Sequence, residues 1–389
     1  MIANLRHLRI LTAVANLRSV SRAAERVHVT QPAVTQAIAR MEAAAGTALF
    51  DRLPHGLFPT AAGEVLIGRV TRALALLDPA LSDLAPRLLL TATVAQIQSL
   101  VAVTESESFS EAARRLGLAQ PTVHRAVTQM ESEVGRPLFE RGPRGVIALR
   151  ATRLLATVAR LAFAELAQAQ SELAELAGRE VGRITVGAMP LSRACLMGPA
   201  IARFRLTRPS LRISIVDGPF PDLSLGLRRG EIDLLVGALR PAEIVPDLEQ
   251  EPLFEDEMVM VARADHPLAG CADLARLARA PWVVAAEGTP ARAAFASVFS
   301  DLPAPESLVE TGSSVLLREL LLASDHLGFT SALQVVPDVA AGRLTILPLR
   351  PPNTRRPIGL IRRAGWQPTP AQRDFITVLK EVASGLPGG

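Results

Sequence analysis

The stretch SVSRAAERVHVTQPAVTQAIARMEAAAGTALFDR at residues 19–52 returns in altered form as SFSEAARRLGLAQPTVHRAVTQMESEVGRPLFER at residues 108–141. The offset between the two copies is 89 residues throughout, with no gap. Self-similarity of this kind predicts two copies of one structural module, and the rest of the chain is interpreted around them.

Each copy has the pattern of two helices joined by a tight turn. In the first copy, Ala23, Ala24 and Val27 form an apolar face at helical spacing. A second helix is predicted over residues 30–42, because Thr30 is a typical N-cap residue that precedes the next apolar stripe.

The second copy keeps the apolar positions and predicts its second helix over residues 119–131. Gly117 occupies the turn between the helices, where the backbone freedom of glycine suits a sharp change of direction. A compact helix pair of this kind can present its second helix to the major groove of DNA.

The outward positions of these helices have diverged, although the buried pattern is shared. Gln, Arg, Thr and His side chains can hydrogen-bond base edges or phosphates, so these positions are candidate DNA contacts. The alternative for each of them is a solvated polar residue on an exposed helix face. The candidates are Ser21, Thr30, Gln31, Pro32, Thr35, Gln36 and Arg40 in the first copy, and Ser110, Gln120, Pro121, Thr122, His124, Arg125 and Gln129 in the second.

A short apolar and basic segment follows each helix pair. Gly56 and Gly145 fall at matching places between short apolar runs, which predicts a hairpin, or wing, in each copy. Arg52, Arg141 and Arg144 lie in these segments. They are candidate phosphate contacts, and ordinary surface arginines are the alternative.

Both copies resemble the winged helix-turn-helix of the LysR-type transcriptional regulators. The resemblance is carried by the paired serines, the paired alanines, the Gln-Pro that opens the second helix and the final Leu-Phe-x-Arg. Members of this family usually carry one winged module. The second copy runs directly into the following domain, as the family's single copy does, so the first looks like the added module. Which copy reads DNA stays open.

The fold class is predicted to be multidomain: two α-rich winged modules, a long linker helix and a two-lobed α/β domain. The predicted ranges are residues 1–85 and 86–150 for the modules, 151–178 for the linker and 183–385 for the α/β domain.

The linker has apolar residues at spacings of three and four, a heptad-like seam suited to pairing with another helix. The resemblance implies that this helix joins protomers into a homodimer or tetramer, and packing within its own chain is the alternative. The seam consists of Leu155, Ala159, Ala162, Leu166, Ala169, Leu173 and Leu176.

From residue 183 onward, short apolar runs alternate with helical stretches, which predicts an α/β domain with mostly parallel sheets. LRRGEIDLLVG (227–237), HPLA (266–269) and PWVV (281–284) resemble the family's ligand-sensing domain. That resemblance implies two Rossmann-like lobes, similar to periplasmic solute-binding proteins, with a small effector in the cleft. The lobes are predicted at residues 183–262 plus 353–385 and at 263–352.

In open α/β sheets ligands bind at the carboxyl ends of strands, so the turns after the predicted strands supply candidate effector contacts. Ser192 and Ser313 are the foremost candidates, because hydroxyl and N–H groups at a helix start favour a carboxylate or another anion. Simple helix capping is the alternative. The full set is Met189, Pro190, Ser192, Phe220, Ala238, Thr311, Ser313, Ser314 and Thr330.

The composition is that of a globular protein with a formal net charge of only +4, which neither demands nor excludes nucleic acid. Cys195 and Cys271 are far apart and belong to no Cys/His cluster, so no metal, disulfide framework or cofactor is predicted. The chain has no signal-peptide pattern and no apolar stretch long enough to span a bilayer, which predicts a cytoplasmic protein without membrane contact.

The sequence contains no H-E-x-x-H, G-x-S-x-G or P-loop motif, and the chain is predicted not to be an enzyme. The predicted function is a transcription regulator that binds double-stranded promoter or operator DNA. A small-molecule effector between the two lobes is expected to control it. The alternative is a ligand-binding receptor whose winged modules mediate protein contacts.

Overall fold

The computed structural model describes residues 4–142, 145–352 and 354–386. The chain divides into two compact units, Met1–Gly182 and Arg183–Gly389. The sequence predicts separate modules at residues 1–85 and 86–150, but both contribute to one hydrophobic core that also contains the linker helix. The first unit is therefore a single folded body.

The first unit contains both winged modules. Its elements are α1 (Leu5–Leu17), α2 (Val20–Arg26), α3 (Gln31–Ala45), β1 (Phe50–Leu53), β2 (Gly56–Pro59), α4 (Ala61–Leu84), α5 (Leu88–Thr91), α6 (Val94–Ser106), α7 (Phe109–Leu116), α8 (Gln120–Val134), β3 (Phe139–Gly142), β4 (Gly145–Ala148) and α9 (Arg150–Leu176).

The two helix-turn-helix pairs form as the repeat predicts. α3 begins after Thr30, whose hydroxyl oxygen accepts a hydrogen bond from the N–H of Ala33 at 3.4 Å. The second helix of each pair, α3 or α8, ends at a left-handed glycine, Gly46 or Gly135. The turn between α2 and α3 has His28 in the left-handed region, and Gly117 takes that conformation in the second copy.

Each wing is hydrogen-bonded to the end of the helix that precedes its helix pair, which is α1 in the first module and α6 in the second. The N–H of Leu57 donates to the carbonyl of Arg18 at 3.1 Å, and the N–H of Val146 donates to the carbonyl of Glu107 at 2.9 Å. A Cβ on Gly56 would lie 2.5 Å from the carbonyl oxygen of Arg18, and the φ of Gly56 is +139°. Only glycine allows the hairpin to approach so closely.

The helix α4 is longer than the sequence predicts. The apolar pattern suggests an end near Pro79, but α4 continues to Leu84 with Pro79 inside it. Pro79 is exposed, so the carbonyl that loses its hydrogen-bond partner can be bonded by water.

The long helices α4 and α9 pack against each other. The seam of α9 is buried from Leu155 to Leu173, whereas Leu176 is exposed. The expectation that this seam joins protomers is therefore wrong for this surface: α4 of the same chain covers it. The physical reason is that a matching apolar helix is already present in the chain, at a high effective concentration.

The second unit holds the α/β domain. Its elements are β5 (Arg183–Ala188), α10 (Pro190–Ser192), a π-helical turn (Arg193–Met197), α11 (Gly198–Phe204), β6 (Arg212–Val216), α12 (Phe220–Arg228), β7 (Leu234–Ala238), β8 (Leu248–Arg263), α13 (Leu274–Leu277), β9 (Trp282–Val284), α14 (Pro290–Val298), β10 (Leu308–Glu310), α15 (Ser314–Ala323), β11 (Leu327–Ser331), α16 (Ala332–Ala340), β12 (Leu344–Ile346), β13 (Arg355–Arg363) and α17 (Pro370–Ser384).

The strands follow the order β10-β9-β11-β8-β13-β7-β5-β6, with β12 beside β8. The sheet is mixed rather than mostly parallel, because β8 and β13 are antiparallel to their neighbours. Residues 248–257 of β8 pair with β13, and residues 258–263 pair with β11 and β12. The change of lobe therefore falls near Met258, a few residues before the predicted border at 262.

Each lobe has apolar clusters built from its own strands and helices. Phe204 and Phe375 meet in the first lobe at 5.1 Å between ring centroids, and Trp282 and Phe295 meet in the second at 5.2 Å. The strands β5 and β7 in one lobe, and β9 and β11 in the other, are parallel to a neighbour. Their carboxyl ends are where the candidate effector residues lie.

Candidate DNA-reading and effector sites

The second helix of each pair, α3 or α8, has the buried face that the sequence predicts. Val34 and Met41 of α3 and Val123 and Met130 of α8 are in the core. All the predicted DNA-contact residues are exposed: Ser21, Thr30, Gln31, Pro32, Thr35, Gln36, Arg40, Arg52, Ser110, Gln120, Pro121, Thr122, His124, Arg125, Gln129 and Arg141. The exposure makes these side chains available, and their contact with DNA remains a prediction.

The outward faces of α3 and α8 differ in chemistry. His124 on α8 lies beside the ring of Phe109, at 5.1 Å between centroids, and its Nδ1 is 3.4 Å from the hydroxyl of Thr128. These contacts hold the imidazole against the helix. The equivalent residue of α3 is Thr35, a short side chain with one hydroxyl. The two helices therefore present different hydrogen-bonding groups at matching positions.

Four exposed arginines lie on the recognition helices and wings: Arg40 on α3, Arg52 on β1, Arg125 on α8 and Arg141 on β3. None of the four forms an ion pair with the residues that the structure describes. Their guanidinium groups are free to meet phosphate oxygens. Arg144, the other predicted wing arginine, lies outside the described residues.

The structure does not support Ser192 as an effector contact. This side chain is fully buried, and its hydroxyl lies 2.9 Å from the carbonyl oxygen of Met189 and 2.7 Å from that of Val236. In this position it joins the start of α10 to β7 and is closed to a ligand. The sequence pattern of a hydroxyl at a helix start is satisfied by this internal contact.

The other predicted effector residues divide into buried and half-open positions. Met189 and Ala238 are buried, and Pro190, Phe220, Thr311 and Ser314 are half-buried. The exposed Ser313 caps α15 by accepting a hydrogen bond from the N–H of Leu316 at 3.2 Å. The buried Thr330 donates to the side-chain oxygen of Gln334 at 2.7 Å.

An arginine that the sequence did not single out lies at the carboxyl end of β7. The guanidinium of Arg240 lies 4.6 Å from the ring centroid of Phe220, and its Nη1 is buried without a hydrogen-bond partner among the described residues. Gln250 fixes the peptide of Arg240 with two hydrogen bonds of 2.8 Å. Burial, together with the positive charge of Arg356, lowers the pKa of Arg240.

Arg356 belongs to a small network where β8 and β13 cross between the lobes. Its Nη2 lies 2.8 Å from Oδ2 of Asp256, and Ser331 at the end of β11 donates to the other carboxylate oxygen. Burial raises the pKa of Asp256, and Arg356 and Ser331 oppose that rise. The network combines a residue of the second lobe with two from the strands that both lobes share.

The sequence carried only weak signals for Arg240 and Arg356. The effector candidates predicted for the turn after β7 end at Ala238, two residues before Arg240. Arg356 lies in a run with Arg355 that reads as surface charge. Their proximity depends on the sheet order, because residues 240 and 356 are far apart along the chain.

Within residues 4–142, 145–352 and 354–386, no cluster of His, Cys, Asp and Glu could hold a metal ion. In the same part of the chain, no helix is both long and apolar enough to cross a membrane.

Two winged helix-turn-helix modules and a two-lobed α/β domain are the parts of a DNA-binding protein with a ligand domain. The family model "Bacterial regulatory helix-turn-helix protein, lysR family" matches residues 5–64 and again residues 94–154. The model "LysR substrate binding domain" matches residues 177–384.

Among curated proteins, the HTH-type transcriptional regulator GalR of Pseudomonas putida is 38% identical over 387 residues, covering 97% of both chains. PcaQ of Agrobacterium fabrum is 29% identical and covers 75% of this chain and 94% of its own. Among solved structures, full-length OxyR from Pseudomonas aeruginosa has a TM-score of 0.54 at 24% identity, covering 74% of this chain and 93% of its own. LysG from Corynebacterium glutamicum, solved with bound effector Arg, has a TM-score of 0.54 at 18% identity, covering 75% and 97%.

This chain belongs to the LysR family of transcriptional regulators, and its helix-turn-helix region is matched twice. It is a regulator with an effector-binding domain and not an enzyme. The relative GalR aligns over nearly the whole chain, whereas about a quarter of the chain lies outside the match to PcaQ.

Proposed function

We propose that this regulator reads operator DNA with the exposed faces of α3 and α8 and binds a small organic anion, a carboxylate, at Arg240. The observation that carries the effector proposal is the buried Nη1 of Arg240, which has no partner among the described residues. A buried donor without an acceptor costs about 1–3 kcal/mol, and a ligand oxygen would remove that cost.

Three further features support an anion. Arg240 and Arg356 are close enough for the charge of one to lower the pKa of the other, and an anion between them would relieve this repulsion. The guanidinium of Arg240 is held flat by Phe220, which leaves its edge available to a carboxylate. Met189 and Leu239 supply apolar surface beside it.

The DNA proposal is supported by the free arginines and the polar faces of α3 and α8. Arg40, Arg52, Arg125 and Arg141 supply phosphate contacts, and Gln31, Gln36, Gln120 and Gln129 supply groups that can bond base edges. A DNA target also implies that the protein acts in the cytoplasm. Self-association into a homodimer or tetramer would involve surfaces other than the α4–α9 seam, because α4 covers that seam.

The effector proposal is tested by titrating a panel of small mono- and dicarboxylates, with matched uncharged amides, into the full-length protein. Calorimetry measures binding, and fluorescence anisotropy on DNA from upstream of the regulator's own gene measures its consequence. We expect at least one carboxylate to bind and to change the DNA affinity. Substitution Arg240→Met should weaken that binding at least about tenfold.

Arg362→Met is the matched control, because Arg362 is on β13 with Arg356 but pairs with Glu249 at the surface, at 2.9 Å. It should leave effector affinity unchanged. Equal affinity of the wild type and Arg240→Met for every carboxylate that binds, or equal binding of the amides, would contradict an anion site at Arg240.

A further inference from the structure

The two long helices of the first unit are equivalent parts of the repeat, and they pack on each other. At the offset of 89 residues, α4 corresponds to α9. Five equivalent pairs of seam positions are buried on both helices. The equivalent pairs are Leu66 and Leu155, Val70 and Ala159, Ala73 and Ala162, Leu77 and Leu166, and Leu84 and Leu173.

The two helices run antiparallel. Arg87, just after α4, donates to the carbonyl of Ser132 at 2.7 Å, so the end of α4 lies beside the end of α8. Thr152, in the first turn of α9, donates to the carbonyl of Leu138, which follows α8. The end of α4 and the beginning of α9 therefore lie together. An antiparallel pair of equivalent helices relates the two modules by an approximate two-fold axis.

The approximate two-fold symmetry of the helix pair is broken by charged side chains at one of its ends. Arg69 of α4 is 1% exposed and contacts Glu165 of α9 at 3.0 Å and Glu172 at 2.7 Å. The position equivalent to Arg69 is Val158, and the position equivalent to Glu165 is Leu76. Val158 and Leu76 pack against the same apolar core. One end of the helix pair is thus ionic, and the symmetry-related end is apolar.

This arrangement favours the unlike helix pair over either like pair. In a pair of α9 helices, Glu165 and Glu172 would face Val158 and lie without a counter-ion, which is strongly unfavourable. In a pair of α4 helices, Arg69 would face Leu76 and the single carboxylate of Asp83, which is equivalent to Glu172, in place of the two carboxylates that it meets on α9. The seam therefore specifies α4 with α9, and the segment from α5 to β4 joins the two helices within one chain.

We propose that a single chain binds a DNA site made of two unlike half-sites in inverted orientation, one read by α3 and the other by α8. A two-fold relation between recognition helices matches the two-fold symmetry of the DNA backbone. The outward residues differ, so the two half-sites differ in sequence. This inference rests on the proposed DNA reading. It adds that one chain occupies one site and that the two half-sites of that site differ.

The test is a hydroxyl-radical footprint of the full-length protein on its own upstream DNA. Two variants carry changes at equivalent positions: Gln31→Ala with Gln36→Ala on α3, and Gln120→Ala with Arg125→Ala on α8. Each should lose protection over one half of the wild-type footprint, at opposite ends, with at least about tenfold weaker binding. Gln170→Ala, on the exposed side of α9, is the control. Loss of the same half by both variants, or of both halves by each, would overturn the inference.

Mixing the two double variants tests whether both readers must come from one chain. If they must, the mixture protects both halves of the site only at the raised concentrations that each variant needs alone. Protection of both halves at the concentration that suffices for the wild type would mean that readers from different chains cooperate, which would also overturn the inference.

The pairing of α4 with α9 can be tested without DNA. A negative result in that test is therefore distinguishable from a failure of the proposed DNA binding. Arg69→Glu should lower the thermal midpoint. Adding Glu172→Arg should restore part of the loss, because Glu172 faces Arg69 at 2.7 Å, whereas Glu165 keeps its pair with Arg72. Absence of any restoration would refute this pairing of α4 with α9 even if DNA binds. A wild type without any specific footprint would instead refute the proposed DNA reading.

Discussion

At the residue scale, surroundings decide which of two plausible side chains can meet an effector. Ser192 has the sequence signature of an anion contact, but its hydroxyl lies within hydrogen-bond distance of two main-chain carbonyls in a closed position. Arg240 lacks that signature, yet one of its guanidinium nitrogens is buried and without a partner among the described residues. The difference arises from how β7 is placed against its neighbours.

The surroundings of Cys195 likewise change the reactivity of its thiol. Burial and the nearby negative charge of Asp256 raise the pKa of this thiol to about 11. We therefore expect slow alkylation by iodoacetamide at neutral pH, with a rate that rises about tenfold per pH unit up to that pKa. Measurement in the Cys271→Ser background isolates this thiol.

The sign for stability follows from the same pKa. Because the folded pKa lies above the ordinary value of 9.0, this thiol's contribution to stability is complete below pH 9 and is lost as the pH rises towards 11. In urea the thiol should react faster at pH 8 than in the folded protein. Equal rates in both states would contradict a buried thiol.

At the element scale, α9 shows how one apolar pattern admits two partners. The heptad-like spacing predicts pairing with a helix, but it is silent on which helix. Arg69 selects α4 because its guanidinium reaches both Glu165 and Glu172. The arginine of this network is on α4 and both carboxylates are on α9, so the two helices are not interchangeable.

Arg69→Met should destabilise the protein by about 3 kcal/mol, because Glu172 would stay partly buried without a counter-ion and Glu165 would keep only Arg72, at 2.9 Å. Urea unfolding followed by circular dichroism measures this change. Arg9→Met is the comparison: Arg9 also pairs with α4, through Asp78 at 2.6 Å, but both side chains are partly exposed. Its loss should cost less than about 1 kcal/mol. Similar losses for the two variants would argue that the buried network contributes little.

At the scale of the whole molecule, the duplication places two different winged helix-turn-helix modules and one effector-binding domain in a single chain. The family relationship accounts for both kinds of domain, and the doubled helix-turn-helix match agrees with the repeat. In each unit, tertiary packing brings distant segments together: α4 with α9 in the first, and the two lobes through β8 and β13 in the second.

DNA binding by the full chain should weaken steeply with salt, with the logarithm of affinity falling linearly in the logarithm of salt concentration. Replacing Arg40 and Arg125 together with Gln should make that slope shallower by about two, since each lost phosphate contact removes about one. Arg318→Gln, on α15 of the second unit and paired with Glu319, should leave the slope unchanged. A slope that is flat, or that responds equally to Arg318→Gln, would exclude these phosphate contacts.

Local patterns in the sequence were enough to predict the helix pairs, the wings and the exposed polar faces of α3 and α8. The reason is that caps, turn glycines and apolar periodicity act between residues that are near in the chain, as at Thr30 and Gly56. The partner of α9, the burial of Ser192, and the meeting of Arg240 with Arg356 were decided only by the tertiary structure. Each depends on which distant segments pack against each other, and the spacing of side chains along a single helix or strand does not determine this.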